Sequence, residues 1–194
     1  MSEQNYAQSV LIVSAAPKPI EFIRGVLPHG EFSPVFTASN AGQAKRFLLD
    51  TQVDIVIINA PLSDEYGNRL ALDIVTNYSA GVLILVRPEV YEQVAYKMEQ
   101  YGILTLTKAL DRQTLYQTVK LLSATSNKMR RIEKSSHKLE NKLHEMKAIS
   151  KAKGLLIENE NMSEEAAHRY IEKQAMDRCS SRKEIAEGII KTYS

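Results

Sequence analysis

Five times between Ser9 and Ser123 a short apolar run is followed by a segment of helical spacing, and this alternation constrains the fold more than any other feature of the chain. Residues 9–13, 34–38, 55–58, 82–86 and 103–107 have the length and composition of strands. Residues 18–27, 40–49, 69–78, 88–100 and 111–123 carry apolar side chains at helical intervals; Ile20, Ile23 and Leu27 share one face, and Ala44, Phe47 and Leu48 another. The run Ile55, Val56, Ile57, Ile58 has no polar alternation, as expected of a parallel strand covered on both faces. Short loops between repeating strand and helix leave one economical arrangement, a doubly wound α/β domain with a five-stranded parallel sheet.

The pattern changes after Ser123. No glycine occurs between Gly102 and Gly154, and no proline follows Pro88, so a long stretch lacks any helix breaker. Ile132, Leu139 and Met146 fall at heptad a positions and Leu122, Met129 and Leu143 at d positions, with Thr125 and Ser136 as polar interruptions. Six apolar residues in eight slots predict a coiled-coil seam and a homodimer; the same spacing also suits an amphipathic helix packed on its own chain. Asn159–Asn161 ends that helix. Ser163, followed by Glu164 and Glu165, signals the start of a second, and Ser181 with Glu184 three residues on is a capping box for a third. The expected organisation is an α/β domain over 1–123, a coiled-coil linker helix over 124–150, and an all-α three-helix domain over 134–194 that shares its first helix with the linker.

Charge follows this division. Residues 1–123 carry 10 Lys/Arg against 12 Asp/Glu, whereas residues 124–194 carry 15 against 11, and residues 128–153 alone hold 9 basic and 3 acidic side chains. A basic segment beside a near-neutral domain is the footprint of a nucleic-acid binder, and equally of a solvated helix face. A single cysteine, Cys179, excludes an intramolecular disulfide framework and fits a reducing compartment. No apolar run approaches the roughly 20 residues that cross a bilayer. With no secretory signal visible either, a cytoplasmic location without membrane association is expected.

The α/β half, over about residues 8–123, resembles the receiver domain of bacterial response regulators and so implies a receiver/flavodoxin-like fold. Receivers hold a divalent cation with an acidic pair after the first strand, beside a phosphoryl-accepting Asp after the third. Here Ser14 and Ala15 occupy the acidic positions, Asn59 the acceptor position and Val86 the hydroxyl position after the fourth strand. Lys108 keeps the basic position after the fifth, but Ala109 follows it where proline is usual, and Thr105 replaces the aromatic residue. Gly67, eight residues beyond Asn59, supports this register. The expectation is a pseudo-receiver that folds but accepts no phosphate, with no cofactor and no metal; the competing register would use Asp64 or Glu65. No other enzyme signature is present, so a non-enzymatic role is expected.

The C-terminal part resembles the ANTAR domain of transcription antitermination regulators through four blocks in order. These are Lys147-Ala-Ile-Ser-Lys-Ala-Lys-Gly154-Leu-Leu, Met162-Ser-Glu-Glu-Ala-Ala167, Gln174-Ala-Met-Asp-Arg178, and Glu184-Ile-Ala-Glu-Gly-Ile-Ile190. The resemblance implies binding to paired hairpins in a nascent leader transcript, which blocks the alternative terminator hairpin, and two modules on a dimeric coiled coil would match two hairpins. It also implies a regulatory protein partner as one means of control. Lys147, Lys151, Lys153, Arg169, Arg178 and Lys183 are the candidates for phosphate or loop contacts, and Gln174 and Arg178, four residues apart, for base reading. Ala152, Gly154, Ala166, Ala175 and Ala186 are expected where helices approach closely; for Gly154, inside a helix, the close approach is of a helix or of RNA. The alternatives are a protein-interaction adaptor and an atypical phosphorylatable response regulator.

Overall fold

The computed structural model describes residues 7–109 and 111–193, apart from the side chains of Glu133 and His137. The chain forms two compact units, residues 1–130 and 131–194.

The first unit contains strands β1 (Gln8–Val13), β2 (Phe32–Ala38), β3 (Ile55–Asn59), β4 (Gly81–Val86) and β5 (Leu104–Thr107). Between them lie helices α1 (Pro17–Val26), α2 (Ala41–Asp50), α3 (Asn68–Asn77) and α4 (Tyr91–Glu99). All strand pairs are parallel, in the order β2-β1-β3-β4-β5. The doubly wound sheet expected from the alternation is therefore the observed one. The segment expected to begin a helix at Pro88 opens instead with a 3-10 turn, Pro88–Val90, and α-helical geometry starts at Tyr91.

Period-two alternation divides the strands between two cores. Leu11, Val13, Val56, Ile58, Val82, Ile84 and Val86 face α2, α3 and α4, with Leu48, Leu70, Ile74 and Val94 packed on them. Val10, Ile12, Ile55, Ile57, Leu83 and Leu85 face α1 and the start of helix α5 (Arg112–Glu160), where Leu115, Val119 and Leu122 are buried. Leu122 is only 4% exposed, so its side chain is spent in this core and is not available to a heptad seam. A Cβ added at Gly81 would lie 2.9 Å from Leu122 Cγ, so the glycine lets α5 settle against the end of β4. Farther along α5, Arg130 donates to the Asp54 carboxylate and to the Ser79 carbonyl (Nη2 at 3.0 Å), while Asp54 also accepts from the Ser9 hydroxyl at 2.8 Å and N–H at 2.7 Å.

The second unit contains the remainder of α5 with α6 (Glu164–Asp177) and α7 (Arg182–Tyr193). Its small core is Ala152, Leu156, Ala167, Ile171, Ala175, Ile185 and Ala186. The caps are those read in the sequence. Ser163 Oγ accepts from Ala166 N–H at 3.2 Å; Ser181 Oγ accepts from Glu184 N–H at 3.2 Å while Glu184 Oε2 accepts from Ser181 N–H at 2.8 Å. α5 ends at Glu160 and is followed by Asn161 with φ 53°, a left-handed turn that Asn tolerates. At the end of α6, Cys179 (φ 48°) donates to Met176 O and Ser180 N–H to Ala175 O, completing a Schellman turn that aims the chain into α7.

Candidate functional site

In an open α/β sheet the functional crevice lies at the carboxyl ends of the strands, so Ser14, Asn59, Val86 and Lys108 come together there by topology. What they form holds no carboxylate. Asn59, 7% exposed, donates from Nδ2 to Ser14 Oγ at 2.9 Å, and the Ser14 hydroxyl donates onward to Ala16 O at 3.0 Å. Val86 is fully buried. Lys108 donates its backbone N–H to Val86 O; burial and then the neighbouring Arg87 charge hold its ammonium pKa below the usual lysine value. A hard divalent cation needs carboxylate oxygens, and Ser14, Ala15 and Asn59 supply none, so these residues do not fit the ion that receivers use.

The two acids of the next loop are engaged elsewhere. Asp64 accepts from Ala41 N–H at 3.0 Å and Gly42 N–H at 2.9 Å, capping α2, and those two bonds hold its carboxyl below the ordinary range. Glu65 Oε1 accepts from Leu70 N–H at 2.8 Å in the first turn of α3. Gly67, which precedes that helix, has φ 111°, and a Cβ there would meet Ile58 Cγ2 at 3.0 Å; both backbone and space require glycine.

In the helical unit the candidate cations separate into two groups. Lys153 pairs with Glu164 at 2.8 Å, Arg169 with Glu165 at 2.5 Å, and Lys183 with Glu187 at 3.8 Å. Lys147 and Lys151 are exposed, and among the described residues neither they nor Arg178 make an ion pair. Gln174 and Arg178 do share a face. They line one side of a groove of about 280 Å³ between α6 and α7, together with Tyr170; Glu184 and Tyr193 line the other, above Ile185. Tyr193 Oη donates to Glu160, which anchors its ring and raises its phenol pKa.

Two packing expectations need correction. Ala152, Ala175 and Ala186 are buried, but Ala166 is exposed and Ala167, at 0% exposure, is the close-packed residue of that pair. A Cβ at Gly154 would meet nothing within 4 Å, so of the two reasons expected for this glycine the close approach of a helix is the one that fails. The sequence reading also passed over Glu184 and Tyr193 as groove residues. Their signal was present only as i, i+4 rows along α7, such as Ile185, Ile189 and Tyr193, and which row faces α6 depends on how the helices pack.

Comparison with known proteins gives the following. Residues 137–190 match the ANTAR domain. Over 139 residues, 72% of this chain and 68% of the other, the sequence is 24% identical to the transcriptional regulatory protein PdtaR of Mycobacterium tuberculosis H37Rv. The fold resembles the signal receiver domain of an HD domain-containing protein from Pseudomonas fluorescens Pf-5 (TM-score 0.60, 22% identity, 68% of this chain and 97% of that one). It also resembles the chemotaxis response regulator CheY4 of Vibrio cholerae (TM-score 0.53, 18% identity, 60% and 99%).

Proposed function

Because this chain carries an ANTAR domain behind a receiver-like domain, we propose that it is an RNA-binding transcription antitermination regulator, not an enzyme, that is not switched by aspartyl phosphorylation. Its substrate in this reading is a nascent leader transcript with two hairpins. The helical unit holds their loops and so keeps the alternative terminator hairpin from forming. The observation that carries the reading is the ANTAR match over residues 137–190, the same residues that fold into α5, α6 and α7 around one small core.

Physical chemistry supports the assignment at two points. Lys147, Lys151 and Arg178 present positive charge that no acid of the described residues neutralises, and such charge draws a phosphate backbone through counterion release. Loop bases, unlike paired ones, can be splayed onto side chains, which suits a surface with open grooves more than a smooth one. Dimerisation belongs to the proposal as well. Met129, Ile132, Leu139, Leu143 and Met146 are each more than half exposed on α5, and a second copy would cover them. No helix among the described residues is long and apolar enough to cross a membrane, and the site of action is taken as the cytoplasm.

A gel-shift titration of the full chain against a two-hairpin leader RNA tests the function. Salt-sensitive binding at or below micromolar protein is expected, with affinity falling steeply between about 50 and 200 mM salt. Absence of a shift at micromolar protein and low salt sinks the reading and favours an adaptor that binds protein. Control of the molecule then enters through a regulatory protein partner or through constitutive dimerisation, since the crevice at Asn59 offers no acceptor.

A further inference from the structure

We propose that the crevice of the α/β unit is a metal-free, non-covalent site for inorganic hydrogen phosphate, held by Arg87 and Lys108 and read by the Asn59 amide. This goes beyond the RNA-binding reading and does not depend on it. Strand register places the groups. Val86 and Thr107 are partners across β4 and β5, and Lys108 N–H donates to Val86 O at 2.8 Å, so Arg87 and Lys108 are neighbours one residue farther along. Asn59 is the partner of Leu85 across β3 and β4, and Leu85 that of Leu106 across β4 and β5. Arg87 keeps an extended backbone (φ −70°, ψ 149°). Because side chains alternate along extended chain, Arg87 and Lys108, two residues beyond Leu85 and Leu106, lean to the same side of the sheet as Asn59. The Arg87 charge is felt at Lys108, whose ammonium it helps to hold below the usual lysine pKa after burial.

These two cations lack a counter-ion. Among the described residues neither Arg87 nor Lys108 makes an ion pair or a side-chain hydrogen bond. The acids of the surrounding loops are committed elsewhere: Asp64 caps α2, Glu65 accepts from Leu70 N–H, and Asp111 accepts from Thr114 N–H at 2.8 Å and its hydroxyl at 2.9 Å. Glu89, two residues beyond Arg87, pairs with neither cation. An anion between the two charges removes their repulsion and gains charge-assisted hydrogen bonds. A guanidinium fork matches two phosphate oxygens, and an ammonium takes a third as a point charge. The fourth oxygen decides the class. Ser14 gives its hydroxyl proton to Ala16 O, so towards Asn59 it can only accept, which turns Nδ2 to Ser14 and leaves Oδ1 without a partner. Asn59 is 7% exposed, and an unpaired amide oxygen at that depth calls for a donor. Hydrogen phosphate offers a P–OH to Oδ1 and negative oxygens to Arg87 and Lys108. Sulfate has no proton at neutral pH. A phosphate monoester, with its second pKa at about 6, has lost most of its own. Both would set a bare negative oxygen against Oδ1. No divalent ion is needed, since the positive charge is supplied by side chains and Ser14 and Ala15 bring no carboxylate to hold one.

The test is calorimetric titration of the full-length protein at pH 7 and constant ionic strength with inorganic phosphate, sulfate or glycerol phosphate, in EDTA and again with Mg²⁺. Wild type is compared with Arg87→Gln and Lys108→Gln; both side chains are exposed, and circular dichroism melts confirm that the three proteins fold alike. Wild type should bind phosphate equally well with and without Mg²⁺, and sulfate and glycerol phosphate more weakly. Each variant should lose about tenfold or more in phosphate affinity. In nitrogen-15 spectra phosphate should move the side-chain amide signals of Asn59. Absence of phosphate binding by wild type overturns the site. Undiminished affinity in both variants also overturns it, because the phosphate then sits on some other basic surface. Binding that requires Mg²⁺ overturns the metal-free geometry, and sulfate bound as tightly as phosphate overturns the part given to Asn59. None of these outcomes touches RNA binding, which the gel shift reads separately.

Discussion

Asn59 shows how one side chain fixes the chemistry of a whole crevice. Its amide donates to Ser14 Oγ at 2.9 Å with 7% exposure, and the serine hydroxyl is itself committed to Ala16 O. Replacing the amide by a carboxylate would restore the acceptor type of a receiver yet remove the donor and bury a charge without a cation. Asn59→Asp is expected to lower unfolding free energy by about 1–3 kcal/mol in urea titrations. It should gain no phosphoryl group from acetyl phosphate and Mg²⁺ by intact mass, because no acid stands at Ser14 or Ala15 to hold the ion. Wild type should likewise stay unmodified. A mass gain of one phosphoryl group in either protein would show that this crevice binds metal through groups other than those named.

At the scale of elements, the join between α5 and the sheet depends on an ionic clasp as well as on Leu115, Val119 and Leu122. Burial works to raise the Asp54 pKa, but the Arg130 guanidinium and the hydroxyl and N–H of Ser9 outweigh it and hold the carboxyl below its ordinary value. A depressed folded-state pKa contributes stability that is present above the unfolded carboxylate pKa and is lost as the pH falls through the folded one. With side-chain exposures of 23% and 30%, the pair is shielded enough to matter. Unfolding free energies from urea titrations followed from pH 7 down to about pH 3 should fall more in wild type than in Asp54→Asn, by roughly 1–3 kcal/mol. Parallel curves for the two proteins would mean the clasp adds nothing. Arg130 also marks the limit of what the sequence discloses. Strands and caps were legible because period-two runs and Ser starts act locally: Ser163 Oγ accepts from Ala166 N–H at 3.2 Å, as its position suggested. Leu122 was not, since a heptad slot and a core slot look alike until α5 is laid on the sheet. The crevice without carboxylates was legible residue by residue, through parallel-strand topology. The groove of Gln174, Arg178, Glu184 and Tyr193 was legible only in its halves, because the facing of two helices is a tertiary fact.

At the scale of the whole molecule, the apolar residues left on α5 argue for a second copy. Met129, Ile132, Leu139, Leu143 and Met146 are 52–67% exposed, and all five fall on heptad a or d positions, whereas the intervening positions are polar. Chance scatter of surface apolar residues would not keep that register, and an exposed stripe of this kind is unfavourable in a monomer. Removing Leu122 from the seam shortens it to Met129–Met146 without changing its phase, about 27 Å of helix at 1.5 Å per residue. A parallel seam of that length is modest, which makes it sensitive to two charges. Sedimentation equilibrium of Ile132→Asp, Leu139→Asp should therefore give the monomer mass where wild type gives the dimer. If two hairpins are held by two helical units, the same variant should also lose roughly a hundredfold or more in affinity for a two-hairpin RNA while keeping its affinity for a single hairpin. An unchanged mass would remove the seam. A lost dimer with undiminished two-hairpin binding would separate dimerisation from RNA capture and place the pairing of hairpins within one helical unit.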